Sequence, residues 1–328
     1  MKIRLRWIYW LKLLAGIALI ATLYREIDRR ESILEAFRTT DWWNILFCLL
    51  LLIPNIYLAF LKWRYLLKNR FENTKNSEVF GSLLFGYTLG LVTPGRLGEL
   101  ARGLFFSDRD RTVITGLNLL DKAANQIIIF TLGGLSLVLM IIYHSVWEFS
   151  SVLPFVVAGG IVLAISWMII LNPETTKKLL RKVSSRLSPE SKFISLVKAY
   201  DDIRFKDILV VLSLTLLWYV VIVLQYHILV LAFTNVAFSE SFQAVTAMLL
   251  VKTLLPLTFG DLGIREGVSV FFYSQFAVSQ AAVFNASMVV FLINFLTPAL
   301  SGLYYVFKVK EANGSYLEEN LETAKRAQ

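Results

Sequence analysis

Apolar residues in this chain come in long runs, not in the alternating or 3.6-residue stripes of a protein that buries one face against water. Trp7 to Tyr24, Trp42 to Leu67, Val113 to Tyr143, Val152 to Leu171, Ile208 to Phe233 and Gln280 to Phe307 each hold at least eighteen residues with few charges. At about 1.5 Å per residue, one such run crosses a hydrocarbon core of roughly 30 Å as a helix. The pattern therefore predicts an all-α integral membrane protein with six transmembrane helices.

Two more apolar segments, Val79 to Phe106 and Ser241 to Phe276, are each interrupted halfway by a glycine-containing turn followed directly by charge. The first reads LVTPGRLGELARG through its turn and the second LPLTFGDLGIREG. Backbone that leaves the helix at membrane depth strands amides and carbonyls, and it is tolerated only where protein or a water-filled cavity satisfies them. Each segment is expected to be a re-entrant hairpin of two half-helices that lines something polar.

Laid over each other, Thr93, Gly95, Leu97 and Gly98 fall on Thr258, Gly260, Leu262 and Gly263 at a constant offset of 165. The same offset lays the span that starts near Trp42 over the one that starts near Asp207, and Val113 to Tyr143 over Val278 to Lys308. An internal duplication follows, with a first repeat over residues 1–151, a second over 152–310 that carries a basic linker at 172–206, and a polar C-terminal tail over 311–328. Three spans per half make the second repeat enter from the opposite side. The result is an inverted repeat, in which two broken helices meet near the bilayer midplane.

Composition agrees, since 56% hydrophobic and 17% charged residues with a mean hydropathy of +0.62 lie far from a water-soluble domain. A formal charge of +9 would point to nucleic acid in a soluble chain. Here its distribution matters more, and no nucleic-acid partner is expected. With the N-terminus inside, the inner loops hold Lys68, Arg70, Lys75, Arg109, Arg111 and the basic linker, while His144 to Ser151 and Thr234 to Ser239 contain no Lys or Arg. That is the positive-inside pattern, and it puts both termini in the cytoplasm of a cell (inner or plasma) membrane protein. One loop opposes it, Arg25 to Asp41, nominally outside with four arginines. The linker reads as an amphipathic segment on the anionic inner surface or as a solvated loop. A single cysteine, Cys48, excludes an intrachain disulfide.

The TPGRLGELARG signature, a later Asp121-Lys122 pair and PLTFGDLGIREG together resemble the lysylphosphatidylglycerol synthase transmembrane region, or flippase-like domain, family. The match to its usual forms runs through Pro94, Gly95, Arg96, Gly98 and Glu99, and through Pro256, Gly260, Gly263, Arg265 and Glu266. The resemblance covers nearly the whole chain and implies lipid handling, as in the translocation half of the multiple peptide resistance factor. A soluble synthase domain needs roughly 100 residues. The longest polar stretch here, Asn172 to Lys206, is too short for one.

A charge at bilayer depth costs about 2.5 to 3.5 kcal/mol on insertion scales, so it usually faces a cavity or a partner. The candidates for substrate binding are Arg96, Glu99, Arg265 and Glu266, with Thr93, Gly95, Gly260, Asp261, Lys252, Asp121 and Lys122 around them. Arg96 with Glu99, and Asp261 with Arg265, have the spacing of one helix face, where each pair could equally well only neutralise itself. Both sets open a half-helix, whose free amides and positive end attract phosphate. If the repeat is inverted, Arg96 and Arg265 should converge on one midplane cavity. His227 and His144 have no partner at ligand spacing, so no metal is expected, and Gly90, Gly95, Gly98 and Gly103 lack the strand and lysine of a nucleotide loop. No cofactor and no catalytic residue is expected. The reading is a lipid translocase moving an anionic or aminoacylated phospholipid, or another lipid with a phosphate headgroup. The partner is thus a membrane phospholipid or polyprenyl-phosphate lipid, with self-association into a homo-oligomer left open. The alternative is a membrane-embedded enzyme or accessory subunit of lipid or polyprenyl-phosphate glycosylation, with Glu99 or Glu266 as general base.

Overall fold

The computed structural model describes residues 2–309 except 94, 145–147, 186–195, 256–257 and 259; side chains of 2–11, His144 and Phe149 also lie outside the description. The tail at 311–328, Pro94, Pro256, Trp147 and part of the linker thus fall outside the described residues. Those that are described form helices and no strand.

Five helices are long and apolar enough to cross a membrane: α3 (Trp42–Arg70), α5 (Arg111–Tyr143), α6 (Ser150–Leu171), α8 (Phe205–Leu231) and α11 (Gln280–Val309). All five fall on the apolar runs. The remaining run lies in α1 (Lys2–Asp28), which is not among the five. Between α1 and α3, the expected loop holds a short helix, α2 (Ile33–Arg38), started by the Ser32 hydroxyl accepting from the Glu35 amide. The linker holds another, α7 (Pro173–Ser184), with proline in its first turn where no amide is needed.

The two interrupted segments fold as expected in their first limbs, α4 (Asn76–Leu91) and α9 (Phe238–Leu254). Their second limbs differ: Leu97–Phe105 is a 3-10 helix, while α10 (Ile264–Ser274) is an α-helix. At the break, Gly95 and Arg96 have φ of 56° and 58°, and Gly260 and Asp261 have φ of 56° and 58°. A left-handed non-glycine residue costs about 1–2 kcal/mol. The same unfavourable conformation is therefore held at both positions of the 165-residue offset.

Each first limb packs against a long helix far from it in the chain. On α5, Gly133 lets the helix approach the Thr246 carbonyl and Leu250 of α9 so closely that a Cβ would collide with them. On α11, Gly302 does the same against Leu84 and Thr88 of α4, and the Thr88 hydroxyl donates to the Ala299 carbonyl at 2.6 Å. Gly302→Val is expected to lower stability by about 1–3 kcal/mol through overpacking. Thermal unfolding in detergent measures it.

In α11, residues Leu292–Leu296 widen into a π-helical turn. Pro298 explains it, since its ring cannot sit against the carbonyl four residues back, which belongs to Asn294. The Thr297 hydroxyl instead donates to the Leu292 carbonyl at 2.8 Å. Asn294 and Phe295, both on this turn, belong to the site described next.

Candidate functional site

A 3-10 helix has three residues per turn, so positions three apart are stacked on one line. Glu99 and Arg102 are such a line and pair at 3.5 Å, and Arg96, in the left-handed turn just before the helix, pairs with the same carboxylate. Lys122 on α5 pairs with the same carboxylate. From α5, Asp121 accepts from Arg102 at 3.2 Å and pairs with Lys62 of α3 at 2.7 Å. Lys62 also donates to Asn125 at 2.6 Å and to Thr215 of α8 at 3.3 Å. Glycines 86 and 90 of α4 leave the space that the Arg102 and Glu99 side chains occupy.

Lys62, Arg96, Glu99, Arg102, Asp121, Lys122 and Asn125 line a cavity of about 220 Å³ together with Gly95, Tyr87, Asn55, Trp218, Tyr219, Asn294, Lys252 and Asp261. Its described lining carries five cations (Lys62, Arg96, Arg102, Lys122, Lys252) against three carboxylates (Glu99, Asp121, Asp261), which leaves two positive charges in excess. The Arg96 guanidinium stacks on Phe295 at 4.5 Å from the ring centre. Asn55 and Trp218 each sit thirteen residues into their helices, about 20 Å from the helix start. Polar side chains wall this end: Asn55 donates to Gln225 at 2.8 Å, Gln225 donates to Asn294 at 2.8 Å, and Trp218 donates to Asn55 at 2.9 Å. The buried Tyr219 hydroxyl and Arg96 Nε have no hydrogen-bond partner among the described residues.

The second turn is built differently. Asp261 pairs with Lys252 at 3.0 Å, not with Arg265. The left-handed turn precedes the start of α10 at Ile264, so the helical spacing assumed for that pair does not apply. Arg265 instead pairs with Glu266, lies 3.3 Å from the Ser287 hydroxyl and stacks on Phe291 at 4.9 Å. Neither Arg265 nor Glu266 lines the cavity. Phe291 and Phe295 stand 5.5 Å apart and separate Arg265 from Arg96, and Gly260 packs against both rings. The expected convergence of the two arginines on one cavity is therefore not what the geometry gives.

One amide at each turn is already taken by a side chain. Thr93 accepts from the Gly98 amide at 2.7 Å, and Glu266 accepts from the Gly263 amide at 2.6 Å. Thr93 and Glu266 cap their helices. Among the charged lining residues, Lys62 and Arg102 are the two not expected from the sequence. Their signal was a charge inside an apolar run, which Lys62 shared with Asp121. His227 meets the Ser241 hydroxyl at 2.9 Å, a packing role.

A family model described as Lysylphosphatidylglycerol synthase TM region matches residues 9–302. No curated protein and no solved structure matches the chain.

Proposed function

This multi-pass membrane protein belongs to the lysylphosphatidylglycerol synthase transmembrane-region family, and on that premise we propose that it is a lipid translocase whose buried, charged cavity carries a phosphate-bearing headgroup between leaflets. The observation that carries the reading is the two-charge excess in a cavity midway along the membrane helices. A buried charge excess is costly unless an anion joins it, and a phosphodiester or phosphomonoester brings one or two negative charges. Arg96 offers a bidentate fork for phosphate, and Lys122 and Lys252 bring point charges from two further helices. Glu99 and Asp121 hold the cations in place. An aminoacylated headgroup would set its ammonium against Asp261.

The same reading takes α1 as a sixth span and the two hairpins as re-entrant elements of an inverted repeat, with repeats at 1–151 and 152–310. Support comes from the matched left-handed turns and from the contacts of Gly133 with α9 and Gly302 with α4. Such a pairing gives a headgroup two alternative routes past one central site. It also places both termini in the cytoplasm. In a Cys48→Ser background, single cysteines at Ser145 and Asn235 are expected to react with an impermeant thiol reagent from outside, and one at Ser184 is not. The reverse labelling would overturn the topology.

Glu99 is engaged by three cations and Glu266 by Arg265 and the Gly263 amide, so neither carboxylate is free to face an acceptor as a general base. Proteoliposomes containing labelled anionic, aminoacylated and polyprenyl-phosphate lipids test the proposal. Leaflet exchange without covalent change is the expected result. Chemical conversion of any lipid would replace transport with the enzymatic reading. Outward movement of a net negative charge gains about 2.3 kcal/mol per 100 mV of inside-negative potential. An imposed potential is therefore expected to speed exchange in that direction.

A further inference from the structure

Helix α5 is a wall with a cavity on each side. Asp121, Lys122 and Asn125 face the charged cavity, whereas Ala123, Ile127 and Phe130 face a second one of about 540 Å³ between α5 and α6. Gln126 lines both.

The far wall of the second cavity is one face of α6, with Gly159, Leu163, Ser166 and Ile170 at three- and four-residue spacing. From Gly159 to Ile170 that face is about 16 Å long, roughly half of a 30 Å hydrocarbon core and so the depth of one leaflet. At Gly159 no atom lies within 4 Å of where a Cβ would be. The two helices are tied beside this space by the Trp167 indole donating to the Thr131 hydroxyl at 2.9 Å.

That tie also fixes the levels of the two antiparallel helices. Gln126 is five residues from Thr131, and the end of α6 is about as far from Trp167 in the matching direction. Gln126 therefore stands level with the start of α7, where Thr176 and Tyr200 complete the lining. The groove is polar at this end and apolar towards Gly159. It has the polarity and length of one lipid chain lying in the leaflet on the α7 side, with its polar end beside the charged cavity.

We infer that the groove between α5 and α6 is the docking site for an acyl chain of the transported phospholipid, seated so that the phosphate end reaches the charged cavity past Gln126. The inference deepens the transport reading and rests on it for the destination of the phosphate. The seating of the chain rests on the groove alone.

The test uses the full chain in lipid nanodiscs and liposomes. Two photoactivatable phosphatidylglycerols are compared, one with a diazirine at the chain end and one with it near the ester, and the labelled peptides are mapped. Chain-end label is expected around Gly159 and Val162, and ester-proximal label around Gln126 and Thr176. Label spread equally over the outward residues Ile161, Ile165 and Met168 would reduce the groove to ordinary boundary lipid and overturn the inference. In the exchange assay, Gly159→Trp is expected to slow phosphatidylglycerol at least about tenfold, or about 1.4 kcal/mol in the barrier. Gly160→Trp, one residue away and off the groove, leaves it unchanged. If Gly159→Trp has no effect while Arg96→Ala stops exchange, the groove inference fails and the transport reading stands. If the wild type exchanges no lipid yet the labels keep their register, transport fails and a lipid-binding groove remains.

Discussion

Arg96→Ala is expected to slow leaflet exchange of an anionic lipid by about ten- to a hundredfold, the equivalent of the 1.5–3 kcal/mol carried by hydrogen bonds to a charged group. Its unfolding temperature should stay near that of the wild type. The side chain is 26% exposed to the cavity, and Glu99 keeps Lys122 and Arg102 as partners when Arg96 is gone. Arg265→Ala should do the opposite. Its side chain is 6% exposed and its partner Glu266 is fully buried, so truncation strands a carboxylate in the interior at a cost of about 3–5 kcal/mol. Paired measurements of exchange rate and thermal unfolding in detergent separate the two roles. Equal losses of activity without loss of stability in both variants would restore the symmetric site expected from the repeat.

A loss of stability as large as that of Arg265→Ala is expected from Asp121→Asn. Asp121 bridges Lys62 and Arg102, whose side chains are 4% and 3% exposed and which come from different elements. Removing the negative charge leaves two buried cations near each other with one counter-ion fewer, a loss of about 3–5 kcal/mol. Adding Lys62→Met should recover part of it, because the second change removes one of the stranded charges. Thermal unfolding of the single and double variants checks this. Additive losses would mean that Lys62 and Asp121 do not depend on each other.

The long apolar runs at Trp42, Val113, Val152, Ile208 and Gln280 were legible because lipid leaves a helix no polar face to show, and each became a helix with ends within a few residues of those expected. Legible too were the two turns, since Gly95 and Gly260 mark the positive φ that the chain adopts there. Of the two side-chain pairs, Arg96 with Glu99 was legible and Asp261 with Arg265 was not. The spacing of Asp261 and Arg265 implied contact only if the helix ran through both, and the left-handed turn removes that premise. Lys62 was hidden for another reason: its partners Asp121 and Thr215 are 59 and 153 positions away, and only the packing of α3 against α5 and α8 brings them together. The 3-10 winding that stacks Arg102 on Glu99 likewise has no signature in the sequence.

Transport by this route requires that the charged cavity take a phosphate headgroup. Its most direct test is the rate of leaflet exchange, in one set of proteoliposomes, for three lipids with the same labelled chain and different headgroups: phosphatidylglycerol, phosphatidylcholine and a phosphate-free neutral glycolipid. With two positive charges in excess at the site, phosphatidylglycerol should move fastest and the glycolipid should stay at the protein-free background, with the difference lost in Arg96→Ala. Equal movement of all three, unaffected by Arg96→Ala, would contradict the account.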